Sequence, residues 1–376
     1  MKIDEFKLEH WLNPRDPVCK YNLGASCVKA FQVDELFEFL GLDVEEFLQE
    51  VRTMSLHYGH FDGLLRLREA LAKLYRSGVT ADMVLTVHGA TGANNLITTE
   101  LLSQGDNAVV FVPNYQQHYS GPESFGIEVR RFPLKLENGY LPDLSHLETV
   151  VDSKTKMIII TNPNNPSGSF IEEPMLRGIC RIAEKVGAYV LSDEIYRGLA
   201  DTYMHSVVDI YDKGIATHST SKVYSMAGTR IGWIVTKDPE THKRLFNRRS
   251  YDTICCGVFD ELLTAIALEH FEKILERSRG IVNESRAIFD KWLIGEPRLH
   301  SDYKSYSTTA LVKYDYDIPN LQFCNDIYEN TGVLLSHGDC FELEKTFRLG
   351  YGFGDPAKFE EALTVLSAYL RKIDSS

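Results

Sequence analysis

One lysine stands in a stretch of hydroxyl-bearing and small residues, "HSTSKVYSMAGTRIGW" (218–233). Ser219, Ser221 and Arg230 surround Lys222, and two hydroxyl donors with a guanidinium can together hold a dianionic phosphate. A lysine near another cation and away from water has a lowered pKa and becomes a usable amine nucleophile. In most proteins, however, a single lysine is a solvated surface residue. The stretch alone leaves both interpretations open.

A pair of carboxylates follows another apolar run, in "AYVLSDEIY" (188–196). Burying a carboxylate costs free energy unless a cation or a strong donor faces it. Either Asp193 and Glu194 therefore face solvent, or one of the two acids has a positively charged partner in a site. For Asp193, capping of a following helix is the structural alternative.

Three turns next to apolar runs could bind a ligand. Gly89–Asn94 is a small-residue turn that opens a helix, where bare N–H groups can approach an anion, although tight packing explains this turn equally well. Tyr115 could stack on a flat ligand or cap the core. The turn "NPNNPSG" (162–168) is rigid and fixes the side chain of an asparagine. Neither a dinucleotide fingerprint nor a P-loop is present.

These five motifs share one kind of position, because each lies at an end of a predicted strand. From about residue 64 the chain alternates helical segments with short runs rich in Val and Ile, at about 83–89, 107–113, 156–162, 188–194 and 230–236. Such alternation predicts βαβ units and a mostly parallel, buried sheet. In open parallel sheets, ligands bind beyond the carboxyl ends of the strands. The coincidence favours one phosphorylated, aromatic, carbonyl-bearing ligand.

The chain after residue 250 has longer helical stretches and predicts a second, smaller α/β unit. We expect an N-terminal arm that belongs partly to the small domain (1–45), a large ligand-binding domain (46–275) and a small C-terminal domain (276–376). At 376 residues, with 44% hydrophobic residues, the chain is long enough for two domains.

Charge and composition narrow the partners. The formal net charge of −13 disfavours nucleic acid and anionic membranes. The seven scattered cysteines favour reduced thiols, and no apolar run has the length of a membrane span. The twelve histidines show no metal-binding spacing, so none receives a role and no metal site is expected. We expect a cytoplasmic protein that acts on small molecules.

The motifs resemble those of a known family. "NPNNPSG", "SDEIYR" and "STSKVYSMAGTRIGW" occur in the order and approximate spacing of the class I/II aminotransferases, the aspartate aminotransferase-like enzymes of fold type I that use pyridoxal 5'-phosphate (PLP). The resemblance runs from about residue 20 to the C-terminus. It implies a large domain with a mostly parallel, seven-stranded sheet flanked by helices, and a smaller α/β domain.

The resemblance also implies catalytic roles. Lys222 would form a Schiff base with PLP and then carry a proton as general base and acid. Asp193 would pair with the pyridinium nitrogen and keep it protonated. Asn165 and Tyr196 would donate hydrogen bonds to the phenolic oxygen of the ring, and Tyr115 would stack on the ring face.

Phosphate and substrate contacts follow in the same way. Arg348 would clamp the substrate carboxylate together with Asn165, and Gly24 would mark the loop that covers the substrate. That loop, "NLGASCVKAFQVDEL", departs from the Gly-x-Pro pattern of many members. Because one phosphate ligand would reach across from a second subunit, the resemblance implies a homodimer. The implied phosphate ligands are Ala90, Thr91, Gly92, Ser219, Ser221, Arg230 and the second subunit's Tyr58.

The function implied is transfer of an amino group from an amino acid to a 2-oxo acid. Relatives that divert the same first half-reaction, the C–S β-lyases and the capreomycidine-synthase-like cyclases, remain the alternative. A non-catalytic regulator is disfavoured because no basic helix-turn-helix precedes the fold and Lys222 is present. The sequence does not identify the amino donor or acceptor.

Overall fold

A computed structural model describes residues 2–301 and 303–374. Its strands are β1 (Tyr21–Asn22), β2 (Val84–His88), β3 (Asn107–Val112), β4 (Glu128–Pro133), β5 (Thr155–Thr161), β6 (Tyr189–Asp193), β7 (Gly214–Ser219), β8 (Ile231–Thr236), β9 (Leu299–His300), β10 (Thr309–Tyr314), β11 (Val333–Leu334), β12 (Ser336–His337) and β13 (Thr346–Gly350). Its α-helices are α1 (Lys7–Leu12), α2 (Val33–Leu40), α3 (Val44–Thr53), α4 (Leu65–Ala72), α5 (Gly89–Leu101), α6 (Gln117–Ser124), α7 (Leu144–Val150), α8 (Glu173–Val186), α9 (Pro239–Asp252), α10 (Val258–Leu268), α11 (Phe271–Ile294), α12 (Asn320–Thr331) and α13 (Pro356–Asp374).

Seven strands form the central sheet, in the order β2-β8-β7-β6-β5-β3-β4. All neighbouring strands run parallel except β8, which is antiparallel to both β2 and β7. Alternate side chains of β5 enter two separate cores: Ile158 and Ile160 pack on one face, and Met157 and Ile159 on the other. Because both faces are covered, the four central residues of the strand, 157–160, are all apolar. The predicted α/β fold with a mostly parallel, seven-stranded sheet is confirmed.

Two strands of this sheet were not predicted from the sequence. The edge strand β4 reads "EVRRFP", and its charged, partly exposed residues lack the apolar pattern of a central strand. Strand β7 reads "GIATHS" and is buried throughout, but it carries three polar side chains that are buried as well. The antiparallel direction of β8 follows from its short connection to β7, which is too short for a crossover helix.

A second sheet lies in the C-terminal part of the chain. It has the order β12-β13-β10-β9 and is antiparallel, and α13 packs on α11 and α12. The predicted domain boundary at 275/276 falls inside the continuous helix α11, and the division itself stays a prediction. Within residues 2–301 and 303–374, no helix combines the length and apolar character needed to cross a membrane.

The N-terminal helix α1 is fastened to both parts of the chain. Its Leu8 and Trp11 are buried, and the Trp11 indole N–H donates to the carbonyl of Leu335 at 2.7 Å. The backbone N–H of Lys7 donates to the Gln116 side chain at 2.9 Å. These contacts hold α1 across the carboxyl end of the central sheet.

Candidate active site

A cavity of about 300 Å³ lies between the carboxyl ends of the central strands and the N-terminal segment. Most residues singled out from the sequence line it, although they come from distant parts of the chain. These are Ala90, Thr91, Tyr115, Asn165, Asp193, Tyr196, Ser219, Ser221, Lys222, Arg230 and Arg348. The structure does not bring Gly24, Tyr58 or Gly92 into the lining.

Asp193 ends β6 at the floor of the cavity and is buried. Its Oδ2 accepts a hydrogen bond from the Asn94 amide at 2.9 Å, and its Oδ1 accepts one from the backbone N–H of Ile195 at 3.2 Å. Burial alone would raise the pKa of Asp193, but contacts with His118 and Asn94 outweigh burial and lower the pKa below its ordinary value. Asp193 is therefore a carboxylate at neutral pH, and among the described residues it caps no helix.

Two residues that hold Asp193 were missed as functional residues. His118 Nε2 lies 3.1 Å from Asp193 Oδ2. The Asn94 amide is oriented in turn by Thr217, whose hydroxyl donates to Asn94 Oδ1 at 2.8 Å. Asn94 stands in the small-residue turn Gly89–Asn94, whereas His118 stands in no motif singled out from the sequence. The proximity of both residues to Asp193 depends on the order of strands in the sheet, which spacing along the chain does not reveal.

Lys222 follows β7 and reaches into the cavity, where its Nζ lies 3.5 Å from Cys27 Sγ. Burial opposes the charged ammonium, but Cys27 and Tyr196 favour it, and they outweigh burial and the repulsion of Arg348. The pKa of Lys222 is therefore raised, whereas the sequence analysis expected a lowered pKa. The difference arises because cations were the only neighbours that could be inferred from the sequence, and Cys27 and Tyr196 come from distant segments.

One end of the cavity is a hydroxyl and guanidinium cluster. Arg230 NH1 donates to Ser221 Oγ at 3.4 Å, and the backbone N–H of Ser221 donates to Ser219 Oγ at 3.2 Å. The first turn of α5 begins beside them at Gly89, whose φ is +67°. A Cβ at Gly89 would stand 2.6 Å from Arg230 NH2, so glycine is required for the guanidinium to lie against the helix start.

The opposite wall holds a buried arginine in strand β13. Arg348 donates to Asn165 Oδ1 at 2.9 Å and to the carbonyl of Gly24 at 2.7 Å. Its Nε is buried and has no hydrogen-bond partner in the described part of the chain. Gly24 thus positions Arg348 through its backbone, and the neighbouring Ala25 lines the cavity instead.

Two tyrosines lie beside Asp193 and Lys222. Tyr196 is buried, and Tyr115 is mostly buried, with its hydroxyl donating to Glu9 Oε1 at 2.8 Å. Burial and the charge of Glu9 both raise the pKa of Tyr115 well above its ordinary value, so the hydroxyl keeps its proton. Glu9 belongs to α1 and was not singled out from the sequence.

Tyr58 lies outside this cavity, with 65% of its surface exposed. It lines a separate groove with Glu50, Met54 and Gly59. Gly92 stands one turn into α5, behind Ala90 and Thr91. The exposed ring of Tyr58 is available to a second subunit, and the predicted role of Tyr58 there stays a prediction.

The side chains and backbone groups of the cavity fit four kinds of ligand group. Hydroxyls, the guanidinium of Arg230 and the start of α5 suit a phosphate dianion. The carboxylate of Asp193 suits a protonated ring nitrogen, and the amine of Lys222 suits an aldehyde. The unpartnered Nε of buried Arg348 marks an unfilled capacity to bind a carboxylate. These are the groups of pyridoxal phosphate and of an amino acid.

Comparison with known proteins gives the same answer. Residues 43–366 match the family described as aminotransferase class I and II. The chain is 25% identical to capreomycidine synthase of Streptomyces vinaceus, covering 96% of this chain and 93% of that protein. It is 26% identical to aspartate aminotransferase of Thermotoga maritima, covering 82% of each.

Solved structures agree in fold. A PLP-dependent aminotransferase from Streptococcus suis 89-1591 superposes with a TM-score of 0.95 at 37% identity and covers 99% of both chains. Aspartate aminotransferase from Thermus thermophilus with maleate superposes with a TM-score of 0.86 at 21% identity, covering 97% of both. The chain therefore belongs to the class I and II aminotransferase family, whose members depend on pyridoxal phosphate.

Proposed function

We propose that this protein transfers an amino group from an amino acid to a 2-oxo acid, with Lys222 as the covalent attachment point of pyridoxal phosphate. The observation that carries the proposal is the common cavity of Lys222, ionised Asp193 and the incompletely bonded Arg348. An amine that reacts in its deprotonated form, an electrostatic partner for a cationic ring and a carboxylate clamp are the three functions that such a transfer requires.

The cofactor is held from both ends. Ser219, Ser221 and Arg230 bind its phosphate with the backbone N–H groups of Ala90 and Thr91, and Asp193 pairs with its ring nitrogen. When bound, pyridoxal phosphate supplies an aldehyde and a ring that accepts the electron pair of the substrate Cα–H bond. The Asn165 oxygen is occupied by Arg348, so its NH₂ group is the half that can donate to the ring, alongside the hydroxyl of Tyr196.

Asp193 is kept charged before any substrate arrives. Asn94 and His118 hold its carboxylate from the protein side, so little reorganisation is needed when positive charge is placed opposite it. A preorganised charge of this kind is worth more in a buried site than in water.

Arg348 and Lys222 act on the substrate. The guanidinium binds the α-carboxylate and thereby fixes the direction of the Cα–H bond. Lys222 would act as general base and general acid, because its Nζ would take the proton from the substrate Cα and later give it up again. Asn165 and the Gly24 carbonyl keep Arg348 from swinging out of the cavity.

A homodimer belongs to this proposal. Tyr58 is exposed in the single chain and would reach the phosphate of the neighbouring subunit.

The experiment that tests the function is a single turnover of the holoenzyme with an amino acid and no oxo acid. Pyridoxamine phosphate and one equivalent of 2-oxo acid are the expected products.

Cyclisation is the second candidate, supported by the 25% identity to capreomycidine synthase over nearly the whole chain. If the single-turnover mixture contained a cyclic amino acid, the assigned reaction would be cyclisation and not transfer. If it contained ammonia and pyruvate, the assigned reaction would be β-elimination, as in the C–S β-lyases.

A further inference from the structure

The charged side chains of the cavity divide into those with a role and those without one. The cations that line it are Lys222, Arg230 and Arg348, and the proposed function assigns them to the cofactor aldehyde, the phosphate and the α-carboxylate. Asp193 is assigned to the ring nitrogen. Within the described residues, the charged groups left in the lining are two acids, Glu9 and Asp16.

Glu9 is held in place by a tyrosine that is itself packed against a second ring. Its Oε1 accepts the hydrogen bond of Tyr115, whose ring also packs on Phe6 with centroids 4.8 Å apart. Burial lowers the pKa of Arg348, and Glu9 is one of the groups close enough to oppose that effect. Glu9 therefore lies on the Tyr115 side of the cavity, near the place where a substrate clamped by Arg348 would extend.

The same short helix supplies an apolar wall. Leu8 and Leu12 line the cavity with Glu9, and residues three and four positions apart share one face of a helix. Asp16 lies beyond the helix, where its carboxylate accepts from the Asn22 amide. Apolar side chains with carboxylates beside them match a long aliphatic stem that ends in a cation.

We infer that the preferred amino donor is an amino acid with a cationic side chain, of the lysine, ornithine or arginine type, and that Glu9 recognises its charge. The inference rests on the proposed function and adds the substrate class to it. Conversely, the described lining offers no unassigned cation for the second carboxylate of aspartate or glutamate, and Glu9 repels it.

The test uses three amino acids of similar length: L-lysine, L-norleucine and L-2-aminoadipate, whose side chains end in a cation, a methyl group and an anion. Each is titrated into the holoenzyme at low ionic strength, and the change in cofactor absorbance gives an apparent dissociation constant. Lysine should bind at least about tenfold more tightly than norleucine, and 2-aminoadipate more weakly than both. Added salt should reduce the difference.

Glu9→Gln removes the charge but keeps an oxygen that can accept from Tyr115. It should reduce the preference for lysine over norleucine about fivefold or more, while Glu5→Gln, on the same segment but outside the cavity lining, should leave the preference unchanged. Asp16→Asn is the second variant and should cause a smaller reduction. Tight binding of 2-aminoadipate, or an unchanged preference in Glu9→Gln, would overturn the inference and leave the proposed function standing. Absence of a spectral response to every amino acid would overturn both.

Discussion

The two sides of the cavity are built in different ways. The cofactor side comes from the ends of β6 and β7 and the start of α5, and its central acid, Asp193, is held by three hydrogen-bond partners. The wall that would meet the substrate side chain comes from α1 and the loop around Cys27, and the proposed carboxylate clamp, Arg348, comes from β13. Under the proposed function, the central sheet would position the groups that act on the cofactor, and the N-terminal segment would select the side chain of the substrate.

The largest expected effect is on the cofactor side. Lys222→Ala should lower turnover by at least about 10²–10⁴-fold, since it removes both the covalent link and the proton carrier. Circular dichroism should remain that of the native protein. Lys185→Ala, an exposed lysine of α8 outside the cavity, is the matched control and should keep full activity. Substantial activity in Lys222→Ala would show that the reaction does not depend on this lysine.

Asp193→Asn should lower the rate by roughly 10²–10³-fold, because it replaces the preorganised charge opposite the ring. Single-turnover kinetics with saturating pyridoxal phosphate measures this rate separately from cofactor affinity. An unchanged rate would show that Asp193 is structural.

The neighbouring acid provides the contrast to Asp193. Glu194 is 1% exposed and forms an ion pair with Arg197 at 2.8 Å. Glu194→Gln leaves a buried cation without its counter-charge, which costs roughly 3–5 kcal/mol of unfolding free energy. Chemical denaturation should show this loss, with the activity of the folded fraction retained. Equal effects of the two substitutions on catalysis would contradict their separate roles.

A smaller effect is expected at the proposed subunit contact. Tyr58→Phe removes one hydroxyl donor from a phosphate dianion, and a hydrogen bond to a charged group contributes about 1.5–3 kcal/mol. The dissociation constant of pyridoxal phosphate should rise about tenfold, as measured by fluorescence titration, while Tyr251→Phe should not change it. A monomeric protein, or an unaltered dissociation constant, would remove Tyr58 from the site.

The smallest expected effect concerns acid stability of the cofactor side. His218 in β7 is buried and stacked on Trp233, and burial lowers the pKa of His218 to about 3. Between pH 6.5 and pH 3 the unfolded chain binds a proton at this position that the folded chain excludes, so stability falls as pH decreases through that window. Relative to pH 7, the denaturation midpoint at pH 5 should fall less in His218→Gln than in the native protein. The exposed histidine variant His146→Gln should show the native pH dependence.

Site residues within a local motif could be predicted from the sequence, whereas residues that reach the cavity through long-range packing could not. Asp193 and Asn165 could be found because each follows an apolar strand within a distinctive local motif, and strand ends converge at one edge of a parallel sheet. Lys222 could be found from its motif alone, because the strand before it, β7, carries polar side chains and was not predicted. Glu9 and Cys27 carry no such local signal. Their positions depend on contacts such as Lys7 with Gln116, more than a hundred residues apart, which only the folded chain defines.

The most direct measurement is borohydride reduction of the holoenzyme followed by peptide mass mapping. We expect one stable pyridoxyl group on Nζ of Lys222, and we expect no such group in Lys222→Ala. A reduced protein without the adduct, or with the adduct on another lysine, would contradict the assignment on which the proposed function rests.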